Sequence, residues 1–338
     1  MIQQALGKLL EHADLTRAEM AEVVREMADG GATPAQAGAF LACLRMKGET
    51  VDEIAGAAEV MRARADRVHV KRDVFVDTCG TGGDGRHTFN ISTTAAFVVA
   101  GAGVTVAKHG NRAVSSRAGS ADVLAALGVD VDAPKDVVER AIDELGIGFL
   151  FAQRLHPAFK AVAGVRRELG VRTIFNLLGP LANPAGARHQ VMGVYEARWV
   201  PVLGGVLAAL GAAHAFVVHG EGLDEITVCG MTHVCEVKGG ETDRYSLLPE
   251  DLGLPRHDER ELRGGDADRN AAIVRDVLSG QKGAPRDATL ANAAAALVAA
   301  GAAPDLRRGI AVAAEAIDRG AALEKLRGLV AATARTGA

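Results

Sequence analysis

One stretch of the chain decides the fold: Asp77-Thr-Cys-Gly80-Thr-Gly82-Gly83-Asp84-Gly85-Arg-His-Thr88-Phe-Asn90-Ile-Ser92-Thr93-Thr94. Its four glycines fall within six positions, between a short apolar run at 74–76 and an apolar helical segment at 93–100. A glycine-rich turn from a strand into a helix lets backbone N–H groups approach an anion, and the helix N-terminus adds its dipole. The stretch therefore predicts a phosphate-binding loop in an α/β protein.

Two familiar phosphate motifs do not explain this loop. The spacing Gly80-x-Gly82-x-x-Gly85 matches the dinucleotide fingerprint, but that motif needs a carboxylate about 20 residues further on. Residues 100–107 contain no acid, and no Gly-Lys-Ser/Thr follows the loop as a Walker motif requires. A turn without a ligand is disfavoured, because several polar side chains crowd it and are costly to bury without partners.

Apolar runs and helical patterns alternate on both sides of the loop. The predicted strands are 74–76, 104–107, 149–151, 190–194 and 215–218, and the predicted helices include 120–127, 134–145, 200–210, 267–278, 290–300, 307–319 and 321–332. Such alternation indicates a mainly parallel sheet flanked by helices. Residues 238–265 are polar and contain Gly and Pro, so we expect irregular surface structure there.

The first seventy residues predict helices only. Thr16, Thr33 and Thr50 are each followed three residues later by Glu or Gln, which is the pattern of a capping box. We therefore expect an α/β protein with a small N-terminal helical domain, residues 1–70 joined by part of 157–186. The larger domain, residues 71–338, is expected to contain the mainly parallel central sheet.

The composition excludes several classes of protein. The 338 residues carry 38 Lys+Arg and 42 Asp+Glu, and this net charge of −4 speaks against a nucleic-acid partner. The four cysteines form no C-x-x-C pair and are interpreted as reduced core thiols. The uncharged stretches 88–107 and 199–218 are interrupted by polar residues or by Gly and Pro, so neither predicts a membrane span. We expect a cytoplasmic protein with no membrane partner.

A second loop follows the predicted strand 104–107. Lys108 and Arg112 supply positive charge, and the hydrogen-bonding groups of this loop belong to Asn111, Ser115 and Ser116. Because the carboxyl ends of parallel strands share one edge of the sheet, this loop is expected beside the glycine-rich one.

An acidic pair and an arginine-rich segment complete the pattern. Asp224-Glu225 follows the predicted strand 215–218, and its oxygen ligands suit Mg²⁺. Arg166, Arg167 and Arg172 cannot share one helix face, and one of them is a candidate for holding a carboxylate through a bidentate fork. The dipeptides at 179–180 and 183–184 predict rigid turns.

Together these segments resemble the anthranilate phosphoribosyltransferase family, over nearly the whole chain and in the same order and spacing. Residues 80–84 are similar to the family's diphosphate loop, and residues 90–93 and 108–116 to its further contacts with phosphoribosyl pyrophosphate. The pair 224–225 is similar to its metal-binding pair, and residues 176–184 to the stretch that lines its aromatic substrate tunnel. Ala118 departs from the family's pattern, in which serine is commoner at this position.

The resemblance implies a role for individual residues. Anthranilate would contact Gly80, Asn111 and Arg166, with His109 and Pro180 nearby. Phosphoribosyl pyrophosphate would contact Gly80, Gly83, Asp84, Thr88, Asn90, Ile91, Ser92, Thr93, Lys108, His109, Gly110, Asn111, Arg112, Ala113, Val114, Ser115, Ser116 and Ser120. Ser92 and Glu225 would hold one Mg²⁺, and Asp224 with Glu225 a second, giving two ions per subunit.

The resemblance also implies a fold of the nucleoside phosphorylase and phosphoribosyltransferase type, and a homodimer formed through the helical domain. The implied reaction transfers 5-phosphoribose to the amine of anthranilate in the second step of tryptophan biosynthesis. Two alternatives share the fold. Pyrimidine nucleoside phosphorylases are similar in the glycine loop and the Lys-His-Gly stretch but lack the acidic pair as a metal site. A relative that binds nucleic acid without catalysis has a basic surface, which the net charge of −4 disfavours.

Overall fold

Four helices form the amino-terminal layer of the structure, a computed structural model that describes residues 1–113 and 117–334. They are α1 Ile2–Leu10, α2 Arg17–Ala28, α3 Pro34–Lys47 and α4 Val51–Arg64. The three predicted capping boxes are confirmed at the starts of α2, α3 and α4. Glu53 of the third box is buried and also accepts hydrogen bonds from Leu15 N at 2.9 Å and Lys47 Nζ at 3.0 Å. One carboxylate therefore connects three parts of this layer.

Two later helices, α9 Lys160–Leu169 and α10 Phe175–Leu181, pack into the same layer. Their buried apolar side chains share a hydrophobic cluster with Phe40 and Ile54. The cluster continues through Leu203 to Val217 in the central sheet. The helical layer is thus joined to one face of the sheet by continuous apolar packing.

The central sheet has seven strands in the order β3-β2-β1-β4-β5-β6-β7. They are β1 Phe75–Gly80, β2 Thr105–Gly110, β3 Ile147–Phe151, β4 His189–Gly193, β5 His214–Gly220, β6 Thr232–Lys238 and β7 Glu241–Leu247. Strands β1 to β5 are mutually parallel, which confirms the predicted fold class. Strand β6 pairs antiparallel with β5, and β7 pairs antiparallel with β6. The prediction of irregular structure over 238–265 is wrong for β7. This exposed edge strand carries charged residues and lacks apolar alternation, as edge strands do to avoid further pairing.

The remaining helices cover the sheet. They are α5 Ile91–Gly101, α6 Ser120–Ala126, α7 Lys135–Leu145, α8 Ala152–Leu155, α11 Trp199–Ala209, α12 Ala267–Leu278, α13 Ala284–Ala299, α14 Leu306–Asp318 and α15 Ala321–Thr333. Helix α13 begins six residues before its predicted start, because Pro285 fits the first turn of a helix, where its missing N–H costs nothing. Within residues 1–113 and 117–334, every helix is too short or too polar to cross a membrane.

A buried asparagine of α13 fixes the backbone beyond β5. Asn292 Oδ1 accepts a hydrogen bond from Ile226 N, and its Nδ2 donates to Ile226 O, each at 2.9 Å. The same Nδ2 donates to Ala288 O at 2.9 Å within the helix. Asn292 thus holds the residue that follows the acidic pair Asp224-Glu225.

Replacing Asn292 with alanine is expected to lower the free energy of unfolding by about 2–4 kcal/mol, because both backbone groups of Ile226 would be buried without partners. Urea unfolding followed by circular dichroism measures the change. Gln281→Ala removes an exposed amide just before α13 and should change stability by less than about 0.5 kcal/mol. Equal stabilities for the two variants would show that the Asn292 contacts are dispensable.

Candidate active site at the carboxyl edge of the sheet

The glycine-rich loop joins β1 to α5, as the sequence predicts. β1 extends to Gly80 and α5 begins at Ile91, whereas the predicted strand ends at 76 and the predicted helix begins at 93. Gly82, Gly83 and Gly85 have φ of +65°, +77° and +75°, a region that costs other residues steric strain. His87 also has a positive φ, of +55°, and its carbonyl accepts a hydrogen bond from Gly264 N at 2.9 Å. The glycines thus allow a tight turn of the backbone between β1 and α5.

The acidic pair contacts this loop directly. Asp224 Oδ2 accepts a hydrogen bond from Gly82 N at 2.7 Å, and Glu225 Oε1 accepts one from Ser92 N at 3.0 Å. A side chain at Gly80 would overlap the Asp224 carboxylate, and one at Gly193 would overlap the Asp224 backbone. Glycine at the ends of β1 and β4 is therefore required for the acidic pair to reach its position.

The electrostatics of this cluster favour a cation. Burial, together with the charges of Asp84 and Glu225, raises the pKa of Asp224 well above its usual value. Burial raises the pKa of Glu225 to about 7, although the positive charge of Lys108 opposes the shift. Crowded carboxylates of this kind lower their free energy by binding a divalent ion.

Lys108 lies at the same edge of the sheet, buried at the end of β2. Its Nζ donates to Thr78 O and lies 3.4 Å from Ser92 Oγ. Burial lowers the pKa of Lys108, while Asp77 and Glu225 act in the opposite direction. Its ammonium group therefore lies beside the side chains predicted to hold metal.

The second predicted phosphate loop is organised around Asn111. Asn111 Oδ1 accepts hydrogen bonds from Arg112 N at 2.8 Å and Gln153 Nε2 at 3.1 Å, and Ser120 Oγ donates to Asn111 O at 3.2 Å. Arg112 forms an ion pair with Asp122 at 3.0 Å, and Ala113 N donates to the same carboxylate at 2.9 Å. Gly110 ends β2 directly before this loop. Of the predicted contacts, Val114, Ser115 and Ser116 lie outside the described residues.

The other predicted phosphoribosyl contacts lie at the start of α5. Asn90 Oδ1 accepts a hydrogen bond from Asn270 Nδ2 at 2.9 Å, and its own Nδ2 donates to Ala118 O at 3.4 Å. Asn90 thus contacts the backbone carbonyl of Ala118. Thr88 pairs with Arg263 in an isolated bridge. Ile91 and Thr93 are buried, and Thr93 Oγ1 has no hydrogen-bond partner among the described residues.

His109 and α10 form a second wall beside the strand ends. His109 Nδ1 lies 3.1 Å from Gly179 O, so this nitrogen carries the proton and donates it. The predicted turn at Gly179-Pro180 is wrong, because both residues lie inside α10. Pro180 occupies the last turn of a seven-residue helix, where it removes a single N–H, and its carbonyl accepts from Gln190 Nε2 at 2.6 Å. The turn predicted after Asn183 is present, with Gly186 N donating to Asn183 O at 3.0 Å.

Arg166 is a half-buried cation on α9. Its guanidinium carbon lies 5.3 Å from the centre of the Phe175 ring. Burial lowers its pKa, and within the described part of the chain it has no ion-pair or hydrogen-bond partner, including among the other predicted site residues. Of the three arginines considered from the sequence, Arg172 is paired with Glu196 and Arg167 is exposed, whereas Arg166 is half-buried beside Phe175.

Two buried side chains at the site were missed by the sequence reasoning. Asp77 accepts hydrogen bonds from His109 N at 3.1 Å and from Asn183 Nδ2 at 2.9 Å, and burial raises its pKa to about 6. The ring of His156 lies 5.1 Å from that of His109. Burial lowers the pKa of His156 to about 4 and that of His109 to about 3, so both rings are uncharged near neutral pH. For Asp77, the available signal was an acid directly after the predicted buried strand 74–76.

The oxygen-bearing side chains at this edge of the sheet fit a Mg²⁺ ion whose remaining ligands come from a substrate. Across the described residues, no three His, Cys, Asp or Glu side chains are arranged to hold a metal by themselves. Burial nonetheless raises the pKa values of Asp224 and Glu225, so a bound cation would stabilise their ionised forms. Mg²⁺ is commonly bound through one or two carboxylates together with substrate phosphates, and Ser92, Asp224 and Glu225 match that pattern.

Comparison with known proteins agrees with this geometry. The chain matches the glycosyl transferase family, helical bundle domain, over residues 3–65 and the glycosyl transferase family, a/b domain, over residues 72–323. An anthranilate phosphoribosyltransferase from an Anaeromyxobacter species is 80% identical over 333 residues, which cover 98% of this chain and 99% of the relative.

Solved structures give the same result. Anthranilate phosphoribosyltransferase from Thermus thermophilus superimposes with a TM-score of 0.93 at 47% identity, covering 97% of this chain and 99% of that one. The Saccharomyces cerevisiae protein of that name, in complex with phosphoribosyl pyrophosphate and Mg, has a TM-score of 0.87 at 28% identity, covering 98% and 97%. Another structure of the yeast protein contains 4-fluoroanthranilate. This chain therefore belongs to the anthranilate phosphoribosyltransferase family.

Proposed function

We propose that this chain transfers 5-phosphoribose from phosphoribosyl pyrophosphate to the amine of anthranilate, yielding N-(5-phosphoribosyl)anthranilate and pyrophosphate. This reaction is the second step of tryptophan biosynthesis. The observation that carries the proposal is the meeting of the glycine-rich loop with Asp224 and Glu225 at one edge of the sheet. The bond from the anomeric carbon to pyrophosphate breaks, the bond to nitrogen forms, and the amine loses a proton.

The residues at the site supply the positive charge and the hydrogen-bond donors that this reaction requires. The lone pair of anthranilate's nitrogen is delocalised into its ring, so the nucleophile is weak and departure of pyrophosphate dominates the barrier. The leaving group is highly charged, and the backbone N–H groups of the glycine-rich loop and the ammonium of Lys108 would stabilise it. Mg²⁺ supplies further charge neutralisation and a template for the diphosphate when bound. We assign one ion to Ser92 and Glu225 and a second to Asp224 and Glu225.

The acceptor is proposed to bind between the second loop and the α9–α10 segment. Arg166 would bind the carboxylate of anthranilate, and Asn111 and Gly80 would also contact the acceptor. His109 and Pro180 supply an uncharged wall for the aromatic ring. Positioning the amine beside the anomeric carbon can lower the barrier by about 7–11 kcal/mol at best.

We propose that the chain forms a homodimer through its helical domain. Leu10 at the end of α1 and Met46 near the end of α3 are 66% and 81% exposed. Lys47, at the end of α3, forms an ion pair at 2.6 Å with Asp14, in the segment that follows α1. Exposed apolar side chains at one end of the helical layer support contact with a second copy.

We also retain the proposed boundaries of the helical domain, 1–70 with part of 157–186, and of the α/β domain, 71–338. The four free cysteines support a cytoplasmic location, since reduced thiols are typical of that compartment. The net charge of −4 supports small-molecule substrates rather than nucleic acid.

The direct test is the fluorescence of anthranilate after mixing protein, Mg²⁺ and phosphoribosyl pyrophosphate. We expect a decay that requires all four components, with pyrophosphate released in equal amount. No decay with folded protein and Mg²⁺ would reject anthranilate as the acceptor, and other aromatic amines and then pyrimidine nucleosides would be tested.

The paired substitution Asp224→Asn with Glu225→Gln is expected to reduce turnover by at least about 10²–10³-fold, because the diphosphate loses its metal. Both replacements keep an oxygen that can accept from Gly82 N and Ser92 N, so folding should be preserved. Initial rates over a range of Mg²⁺ concentrations measure the effect. The matched pair Glu241→Gln with Asp243→Asn, on the exposed edge strand, should retain normal rates. Normal turnover of the first variant at millimolar Mg²⁺ would place the metal elsewhere.

Arg166→Ala is expected to raise the KM for anthranilate by about 10–100-fold, as the loss of a charge-assisted hydrogen bond would do. The KM for phosphoribosyl pyrophosphate should change by less than about twofold. Arg167→Ala, which removes an exposed arginine from the same helix, serves as the control. An unchanged KM for anthranilate in Arg166→Ala would remove this residue from the acceptor site.

A further inference from the structure

One arginine joins three separate segments next to the phosphate loop. Arg172 lies in the short connection between α9 and α10. Its guanidinium donates through one nitrogen to Gly83 O and through another to Glu196 Oε1 at 3.3 Å. Its central carbon lies 4.2 Å from the centre of the Tyr195 ring. Two hydrogen bonds and stacking on the Tyr195 ring thus fix the orientation of the planar guanidinium group.

The same cluster holds the loop at a second point. Tyr195 N donates to Thr81 Oγ1 at 3.1 Å, and Thr81 N donates to Gly193 O at 2.9 Å. Thr81 and Gly83 flank Gly82, whose N–H contacts Asp224. The glycines of this loop are conformationally free, and these contacts select one arrangement of the backbone.

The orientation of one peptide group follows from the Arg172 contact. In a trans peptide the carbonyl and the following N–H point in opposite directions. Because Gly83 O is held on Arg172, the N–H of Asp84 points away from it. Asp84 Oδ2 lies 3.5 Å from Asp224 N, so the acidic pair is close to this part of the loop.

We propose that Arg172 is a positioning residue that orients the glycine-rich loop for the diphosphate. This inference rests on the proposed phosphoribosyl transfer. Arg172 acts through the backbone at Gly83 and does not itself contact the reacting atoms. A lysine could reach one of its partners but could not form the fork or the stack, so it should replace arginine only in part.

The test compares the affinities of Mg²⁺-pyrophosphate and Mg²⁺-phosphoribosyl pyrophosphate, measured by isothermal titration calorimetry, for the wild type, Arg172→Gln, Arg172→Lys and the control Arg167→Gln. We expect Arg172→Gln to weaken both ligands at least tenfold and Arg172→Lys to weaken them three- to fivefold. Arg167→Gln should stay within twofold. Affinity for anthranilate alone and the thermal midpoint should be unchanged in every variant.

The possible results separate positioning from general damage. A folded Arg172→Gln variant that binds Mg²⁺-pyrophosphate within twofold of the wild type would overturn the proposal, and so would an equal loss of anthranilate affinity. If Arg172→Gln does not fold, Arg172→Lys decides by the same criteria. Wild-type protein that binds pyrophosphate but does not consume anthranilate would instead reject the proposed acceptor, and the comparison of variants would still test Arg172.

Discussion

The burial of two adjacent carboxylates against a glycine-rich loop is the constraint on which the site depends. Asp224 and Glu225 accept N–H groups from Gly82 and Ser92, yet their pKa values are raised because burial and mutual repulsion oppose ionisation. This arrangement requires glycine at the ends of β1 and β4, and a buried asparagine on α13 to hold the following residue. Burying these carboxylates lowers the stability of the fold and leaves a site that favours a bound cation, a compromise that is common at functional sites.

The proposed diphosphate half and the proposed acceptor half of the site differ in their electrostatics. The diphosphate half gathers carboxylates, an ammonium and backbone N–H groups that suit a metal and a polyanion. The acceptor half keeps His109 and His156 uncharged through burial, and leaves Arg166 as a cation beside Phe175. An aromatic carboxylate matches that combination, because its ring can pack against uncharged side chains and its carboxylate can accept two hydrogen bonds from one guanidinium group.

The sequence was sufficient for the parallel core of the fold, because five short apolar runs alternate with helices and become the five parallel strands. It was insufficient for β7, whose exposed edge carries charges instead of an apolar pattern. The glycine loop was predictable because its chemistry is local to one short motif, and the acidic pair because it follows a predicted strand at the same edge of the sheet. The role of Asp77 was not, since it depends on His109 and Asn183, which are 32 and 106 residues away in sequence. The same limit applies to Asn292, which reaches Ile226 across 66 residues.

The packing also restricts how the site can close around its substrates. The apolar cluster that runs from Phe40 through Leu203 to Val217 is continuous, and separating the helical layer from the sheet would expose it at about 25 cal/mol per Å². The end of α10 is further tied to the sheet, because Gly179 O contacts His109 and Pro180 O contacts Gln190. The glycine-rich loop is held mainly by hydrogen bonds that involve Arg172, Tyr195 and Asp224, and such contacts open at lower cost than apolar packing. The helical layer is therefore tied to the sheet more firmly than the loops at the sheet edge are.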